Sequence, residues 1–100
     1  MDPATPTVQL DDGTVRVTRW DFPPGTHTGE HVHQYDYVVI PLTGGVLTIS
    51  MPDGEVVEAP LAIGASYART AGVEHDVANL TDGVVSFVEI ELLDRPLPGP

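Results

Sequence analysis

The chain has 100 residues, the length of one domain, and its hydrophobic share of 41% is ordinary for a globular protein. Fifteen acidic residues face four basic ones, all of them arginine, and this balance argues against binding nucleic acid or an anionic membrane. Cysteine and lysine are both absent, which excludes disulfides, thiolate nucleophiles and Schiff-base chemistry.

Short strand-like runs recur along the chain, and turn signals separate them. The predicted strands cover residues 7–10, 14–22, 35–42, 46–51, 55–58, 66–69, 75–80 and 84–92. The dipeptides Asp53-Gly54 and Asp82-Gly83 are hairpin signals, and no run has helical periodicity. Many short strands without a helix predict an all-β sandwich or a closed barrel, which leaves no open edge.

The domain prediction is a single domain over residues 1–100. Its core is expected at about residues 7–93, followed by a loose proline-rich tail over residues 94–100. The first six residues have neither a basic region nor an apolar run, so we expect no signal peptide and a cytoplasmic protein.

The histidines carry the chemical signal of this sequence. His31 and His33 are two residues apart, so in an extended segment their side chains point to the same face. His75 begins a distant predicted strand, and a barrel can bring it to the other two. Three neutral imidazoles leave coordination positions open, which is typical of a reactive metal site. A His-x-His pair alone is weak evidence for a metal site, so the interpretation depends on the residues around it.

Two segments frame these histidines. The first reads G-x5-H-x-H-x3-Y-x6-G from Gly25 to Gly44, and the second reads G-x5-T-x-G-x2-H-x3-N from Gly64 to Asn79. Their spacing resembles the two motifs of the cupin superfamily, and together they span more than half of the chain. The resemblance implies a double-stranded β-helix, a jelly-roll-like barrel of the small single-domain type. It extends to small cupins named for β-alanine degradation, although such a name defines no reaction.

The chain departs from the cupin pattern at two positions. Thr70 replaces the motif proline, which costs only some turn rigidity. Tyr37 replaces the motif glutamate ligand, and a hydroxyl with a pKa near ~10 is a poor ligand for a divalent ion. Asp36 has the opposite strand parity to His33 and should point away. We therefore expect His31, His33 and His75 to hold one divalent metal, with Tyr37 outside the ligand set.

The resemblance to three-histidine cupins implies a function. It points to a mononuclear non-haem iron(II) dioxygenase that acts on a small carbonyl or carboxylate compound, as in β-diketone cleavage. One alternative is an isomerase or lyase that uses zinc, manganese or nickel as a Lewis acid, with Tyr37 or His27 as its base. Another is a non-catalytic module that binds a metal or a small molecule. The family also commonly forms homodimers through exposed edge strands.

Other residues are weaker candidates. Arg69, two residues after Tyr67, would bind a substrate carboxylate if it faced the interior, and a surface arginine in an acidic protein is an equal alternative. Together with Tyr37, Arg69 is our candidate for orienting a small, anionic substrate. His27 is expected in a solvated loop and Trp20 in the core. Turn positions that favour glycine are expected at Gly25, Gly44, Gly64 and Gly72.

Overall fold

The computed structural model describes residues 1–98, and every regular element in that range is a β-strand. The strands are β1 (Asp2–Pro3), β2 (Thr5–Asp11), β3 (Val15–Phe22), β4 (Thr26–His27), β5 (His31–Val32), β6 (Tyr35–Pro41), β7 (Gly45–Ser50), β8 (Val56–Leu61), β9 (Tyr67–Arg69), β10 (Glu74–Asn79) and β11 (Val85–Pro96). Across residues 1–98 no helix has the length and apolar character needed to cross a membrane. The prediction of an all-β fold is confirmed.

The strands form two sheets. One has the order β1-β4-β10-β7-β8, with β5 also paired to β10, and the other has the order β2-β3-β11-β6-β9. All pairings are antiparallel except that of β1 with β4. The long strand β11 lies at the centre of its sheet, between β3 and β6. The inner faces of both sheets enclose the core.

Strand alternation decides which side chains enter that core. In β6, Tyr37, Val39 and Pro41 are buried while the residues between them are less so. Phe22 stacks on Phe87 with ring centroids 5.6 Å apart. The other buried hydrophobic residues are Ala4, Leu47, Leu61, Val77 and Val85. Burial of such side chains contributes about 1.5–3 kcal/mol each, so this packing fixes the register of both sheets.

The structure differs from the predicted elements at the short strands and at the tail. β1, β4 and β5 are only two residues long, and such pieces carry no periodicity that a sequence could show. The tail prediction was wrong for residues 94–96, which belong to β11. Pro96 pairs with Tyr35 after an irregularity, where a proline is tolerated. Residues 99 and 100 lie outside the described residues.

Three of the four glycines predicted at turns adopt a backbone conformation that favours glycine. Gly25, Gly64 and Gly72 have positive φ, but Gly44 does not. Its neighbour Gly45 adopts such a conformation instead, with a φ of 129° and a side-chain methyl of Val85 only 2.8 Å from where a Cβ would sit. A side chain at residue 45 would therefore collide with a buried core residue.

Candidate metal centre

Two distant segments of chain are joined by backbone hydrogen bonds at the candidate site. β5 pairs antiparallel with β10, and this register places His31 opposite His75. Just beyond β5, the amide of His33 donates to the carbonyl of Val73 at 2.9 Å, and the amide of Gly72 donates to the carbonyl of His33 at 2.8 Å. The turn that precedes His75 is thus fixed directly against the His-x-His segment.

The three imidazoles converge on one point. His33 Nε2 lies 3.1 Å from His31 Nε2 and 3.1 Å from His75 Nε2. One ligand atom from each histidine lies within 4.8 Å of the others. The structure therefore brings together all three residues that the sequence proposed as ligands, and this group could hold a metal ion.

The spacing of these nitrogens fits a divalent ion. Nitrogens 3.1 Å apart would subtend about 95° at an ion that lies about 2.1 Å from each, the usual metal–imidazole distance. For the third pair, His31 and His75, the structure sets only an upper limit of 4.8 Å between the ligand atoms. Three lone pairs that face one another also repel unless a positive charge lies between them.

A chain of hydrogen bonds orients His31. Its Nδ1 lies 2.8 Å from the carbonyl oxygen of Gly29, and because a carbonyl can only accept, Nδ1 carries the hydrogen and Nε2 keeps a free lone pair. The amide of Gly29 donates to the carboxylate of Asp76 at 3.2 Å. Asp76 follows His75 on β10. One carboxylate therefore links the strand of His75 to the carbonyl that orients His31.

Burial keeps two of the three candidate ligands neutral. Loss of solvent is the largest cause that lowers the pKa of His33 to about 3, and the neighbouring His31 and His75 lower it further. Loss of solvent also lowers the pKa of His75 to about 4, with His31 adding to the effect. Only a neutral imidazole binds a metal, so both residues are in the ligating form at neutral pH.

Tyr37 lies beside the histidines. Its ring stacks on His33 with centroids 3.9 Å apart and an angle of 19° between the planes. Burial raises the pKa of its hydroxyl, and the nearby Glu89 adds to the shift, so this tyrosine stays protonated. A protonated phenol is a poor metal ligand, which agrees with a three-histidine set. Asp36 accepts a hydrogen bond from the amide of Ala71 at 2.8 Å, which braces the turn before His75.

A cavity of about 370 Å³ opens beside the three histidines. Its walls are mostly apolar and aromatic, with Trp20, Val39, Leu47 and Phe87 among them. The polar residues that line it include Arg16, Tyr67, Glu89 and Glu91. This volume suits a small organic molecule held next to a metal.

Glu89 and Glu91 are cavity residues that the sequence reasoning missed. Both continue the inward-facing set of β11 that begins with the buried residues Val85 and Phe87. The sequence contains a signal for them, because burying an acidic residue at a core-facing position of a strand costs free energy. Such a residue is therefore a candidate for a functional role. From the sequence, residues 84–92 are predicted as a strand, with no role for their acidic side chains.

The remaining candidates lie at the edge of the site or outside it. Arg69 lines an adjoining cavity, with its guanidinium 4.6 Å from the centre of the Tyr67 ring. His27 belongs to β4 rather than to a loop, and its Nδ1 lies 3.0 Å from the Asp76 carboxylate. It is not among the residues that line either cavity, so it is badly placed as the base of an isomerase. The buried Asn79 amide donates to the carbonyls of Phe22 and Gly83, which is a structural role.

Known proteins resemble this chain over nearly its whole length. The family profile described as a cupin domain matches residues 18–91. The β-alanine degradation protein BauB of Pseudomonas aeruginosa is 52% identical over 89 residues, which cover 89% of this chain and 93% of that protein. The predicted resemblance to cupins named for β-alanine degradation is thereby confirmed.

Solved structures of similar proteins share the fold of this chain. A cupin-domain protein from Bordetella pertussis Tohama I superposes with a TM-score of 0.87 at 50% identity, covering 91% of this chain and 94% of the other. A Klebsiella pneumoniae protein with a double-stranded β-helix domain gives 0.74 at 20% identity, covering 93% and 80% of the two chains. At that low identity the second likeness shows the fold alone. The predicted double-stranded β-helix is confirmed.

Proposed function

Because the chain belongs to the cupin family, we propose that it is a mononuclear metal protein that uses iron(II) and dioxygen to oxidise a small carbonyl or carboxylate compound. The observation that carries the proposal is the convergence of three imidazole nitrogens beside a cavity for a small molecule. His31, His33 and His75 would hold the ion. Zinc, manganese and nickel are the alternative metals.

The ligand set favours a substrate that binds the metal directly. Neutral imidazoles leave the full charge of a divalent ion in place, and such a charge attracts an oxygen-rich ligand such as an enolate or a carboxylate. A bound ferrous ion would supply dioxygen activation. The absence of a carboxylate at residue 37 therefore has a chemical consequence, since a fourth, anionic ligand would weaken this attraction.

The residues of the chain would prepare the site in three ways. Tyr37 holds the ring plane of His33 by stacking. The apolar walls exclude water from the bound substrate, which strengthens electrostatic interactions inside the cavity. Arg69 lines the adjoining cavity and would attract an anionic group there.

The proposed substrate is a small molecule. The relative from Pseudomonas aeruginosa is named for β-alanine degradation, and β-alanine is a three-carbon amino acid. A cavity of about 370 Å³ accommodates a carbonyl or carboxylate compound of comparable size.

A second candidate function is a metal-dependent isomerase or lyase. It needs a proton-transferring base in the cavity, and Glu89 satisfies that requirement where His27 does not. In this case zinc or manganese would support turnover without oxygen.

Oxygen uptake by the iron-loaded protein tests the proposal. Protein purified without a histidine tag is loaded with ferrous iron or with zinc and presented with a panel of β-diketones and keto acids. We expect uptake with iron and none with zinc, and loss of uptake in the H75A variant. Turnover without oxygen uptake with either metal would favour the isomerase, and inactivity throughout would favour a binding module.

We also propose that the chain forms a homodimer through β2. All seven residues of this edge strand are exposed, including Val8 and Leu10. A free edge of that length pairs readily with a second copy. Sedimentation should give twice the monomer mass, and replacing Val8 with proline should shift the protein to monomers; a wild-type monomer at micromolar concentration contradicts the proposal.

A further inference from the structure

We propose that Glu89 is the proton acceptor of this cavity and that the ligand enters as a neutral carbonyl compound with an acidic C–H bond. The assignment rests on the proposed function and names its substrate class more closely. Such a site differs from one that receives a preformed carboxylate, because the anion that binds the metal would be formed inside the cavity.

Glu89 lies in the wall of the cavity that contains the three histidines. It lies on β11 at the centre of its sheet, opposite Thr18 of β3 and Val39 of β6. Its side chain follows Phe87 on the inward face and lines the same cavity as the three histidines. A carboxyl group is therefore present in the space where a metal-bound ligand would lie.

The two glutamates of the cavity differ in their ion pairing. Glu91 is held by Arg16, with Oε1 3.5 Å from Nη1. Within residues 1–98, the carboxylate of Glu89 has neither a hydrogen bond nor an ion pair to another residue. One carboxylate thus has a fixed counter-ion and the other is free to exchange a proton. Carboxyl groups with such different surroundings commonly take different roles in acid–base chemistry.

The surroundings of Glu89 favour proton uptake. Burial raises its pKa to about 7, and the negative charge of Glu91 adds to the shift. The other titratable groups that line the cavity are Arg16 of β3, Tyr35 and Tyr37 of β6, Tyr67 of β9 and the three histidines. Arg16 is engaged by Asp11 and Glu91, at 3.0 and 3.5 Å, and leaves Glu89 without a cation of its own.

Charge balance then selects the ligand. The charge of Glu91 is balanced by Arg16, but a carboxylate that entered this cavity would lie beside the unpaired negative charge of ionised Glu89. A neutral carbonyl compound adds no charge. When it gives its proton to Glu89, one negative charge moves from the glutamate to the ligand, and the total is unchanged.

The chemical step is a simple proton transfer. The C–H bond next to the carbonyl breaks, and its proton forms an O–H bond on the Glu89 carboxylate. The electron pair of that bond forms a carbon–carbon double bond, and the carbonyl π pair moves to oxygen as an enolate. No oxidant or reductant is needed, and a divalent ion held by the three histidines would stabilise the negative charge of the enolate.

Proton counting by calorimetry tests this assignment. Zinc-loaded protein is titrated with 2,4-pentanedione at about pH 8 in two buffers of different ionisation enthalpy, which measures the protons released per ligand. We expect the wild type to release clearly less than one proton, because a Glu89 carboxyl that faces the enolate retains part of it. The E89Q variant should release about one per ligand bound. The E55Q variant, which alters an exposed hairpin carboxylate, should match the wild type.

A second readout needs neither metal nor ligand. In the metal-free protein, the carboxyl ¹³C resonance that is missing from E89Q should titrate near pH 7. A resonance that titrates at the ordinary value for glutamate overturns the assignment, and so does a wild type that releases a full proton or binds no diketone. Absence of oxygen uptake by the iron-loaded protein would contradict the proposed function instead, so the two claims fail separately.

Discussion

The aromatic rings of His33 and Tyr37 lie face to face, with centroids 3.9 Å apart. This contact explains how a tyrosine serves at the position where the cupin motif has a glutamate. The ring fixes the plane of a ligand imidazole by packing, whereas a carboxylate would add negative charge to the ion. The substitution therefore keeps the geometry of the site and changes its charge.

Removing the Tyr37 hydroxyl should leave the metal site intact. We expect the Y37F variant to bind metal within about threefold of the wild type, because the stack is retained. The Y37A variant should lose about 3 kcal/mol of unfolding free energy and bind metal more weakly, since a buried ring is deleted. Competition with a chelating dye measures the affinity. A tenfold or greater loss in Y37F would show that the hydroxyl is a ligand.

Asp76 should act on metal affinity without touching the metal. Replacing it with alanine frees the Gly29 amide and loosens the carbonyl that orients His31, so we expect affinity to fall about tenfold. The D82A variant, which alters an exposed hairpin carboxylate, is the matched control. Equal affinities for D76A and D82A would show that the hydrogen-bond chain does not position His31.

The metal-free protein should be sensitive to acid. The unfolded chain protonates His33 and His75 near pH 6.5, but in the folded protein their pKa values are about 3 and about 4. The unfolded state therefore binds more protons between these values, and stability should fall as pH drops from 6.5 toward 4. Urea unfolding across this range measures the effect. The H33N variant should show a shallower dependence, and an unchanged slope would contradict the stated cause.

Glu89 should destabilise the metal-free protein at high pH. Its pKa is raised from 4.5 to about 7, so the folded state binds more protons than the unfolded state and stability falls as pH rises between those values. E89Q should therefore be more stable than the wild type at about pH 8, by about 1–2 kcal/mol after allowance for solvent in the open cavity. The gain should vanish toward pH 4.5. A destabilised E89Q at high pH would contradict the burial of an unpaired carboxylate.

The sequence predicted the fold and the ligand set for identifiable reasons. In β7, Leu47 and Ile49 alternate with Thr48 and Ser50, a period of two that the sequence shows directly. His31, His33 and His75 stand at motif spacings, so their convergence followed from the resemblance. β4 and β5 have two residues each and exist because they pair with β10, which is a tertiary effect.

The acid–base part of the site was not predicted. Glu89 resembles any polar residue in a strand until the inward face of β11 is known. Similarly, the role of Asp76 depends on a hydrogen bond to a residue 47 positions away. His27 was considered as a base from sequence, but its imidazole pairs with Asp76 away from the cavity.

Anomalous diffraction from crystals grown with one equivalent of iron or zinc is the decisive test of the three-histidine site. We expect one peak per chain, about 2.0–2.1 Å from Nε2 of each of His31, His33 and His75. A peak bound by only one of the three, or one that persists at the same place in crystals of the H75A variant, would contradict it.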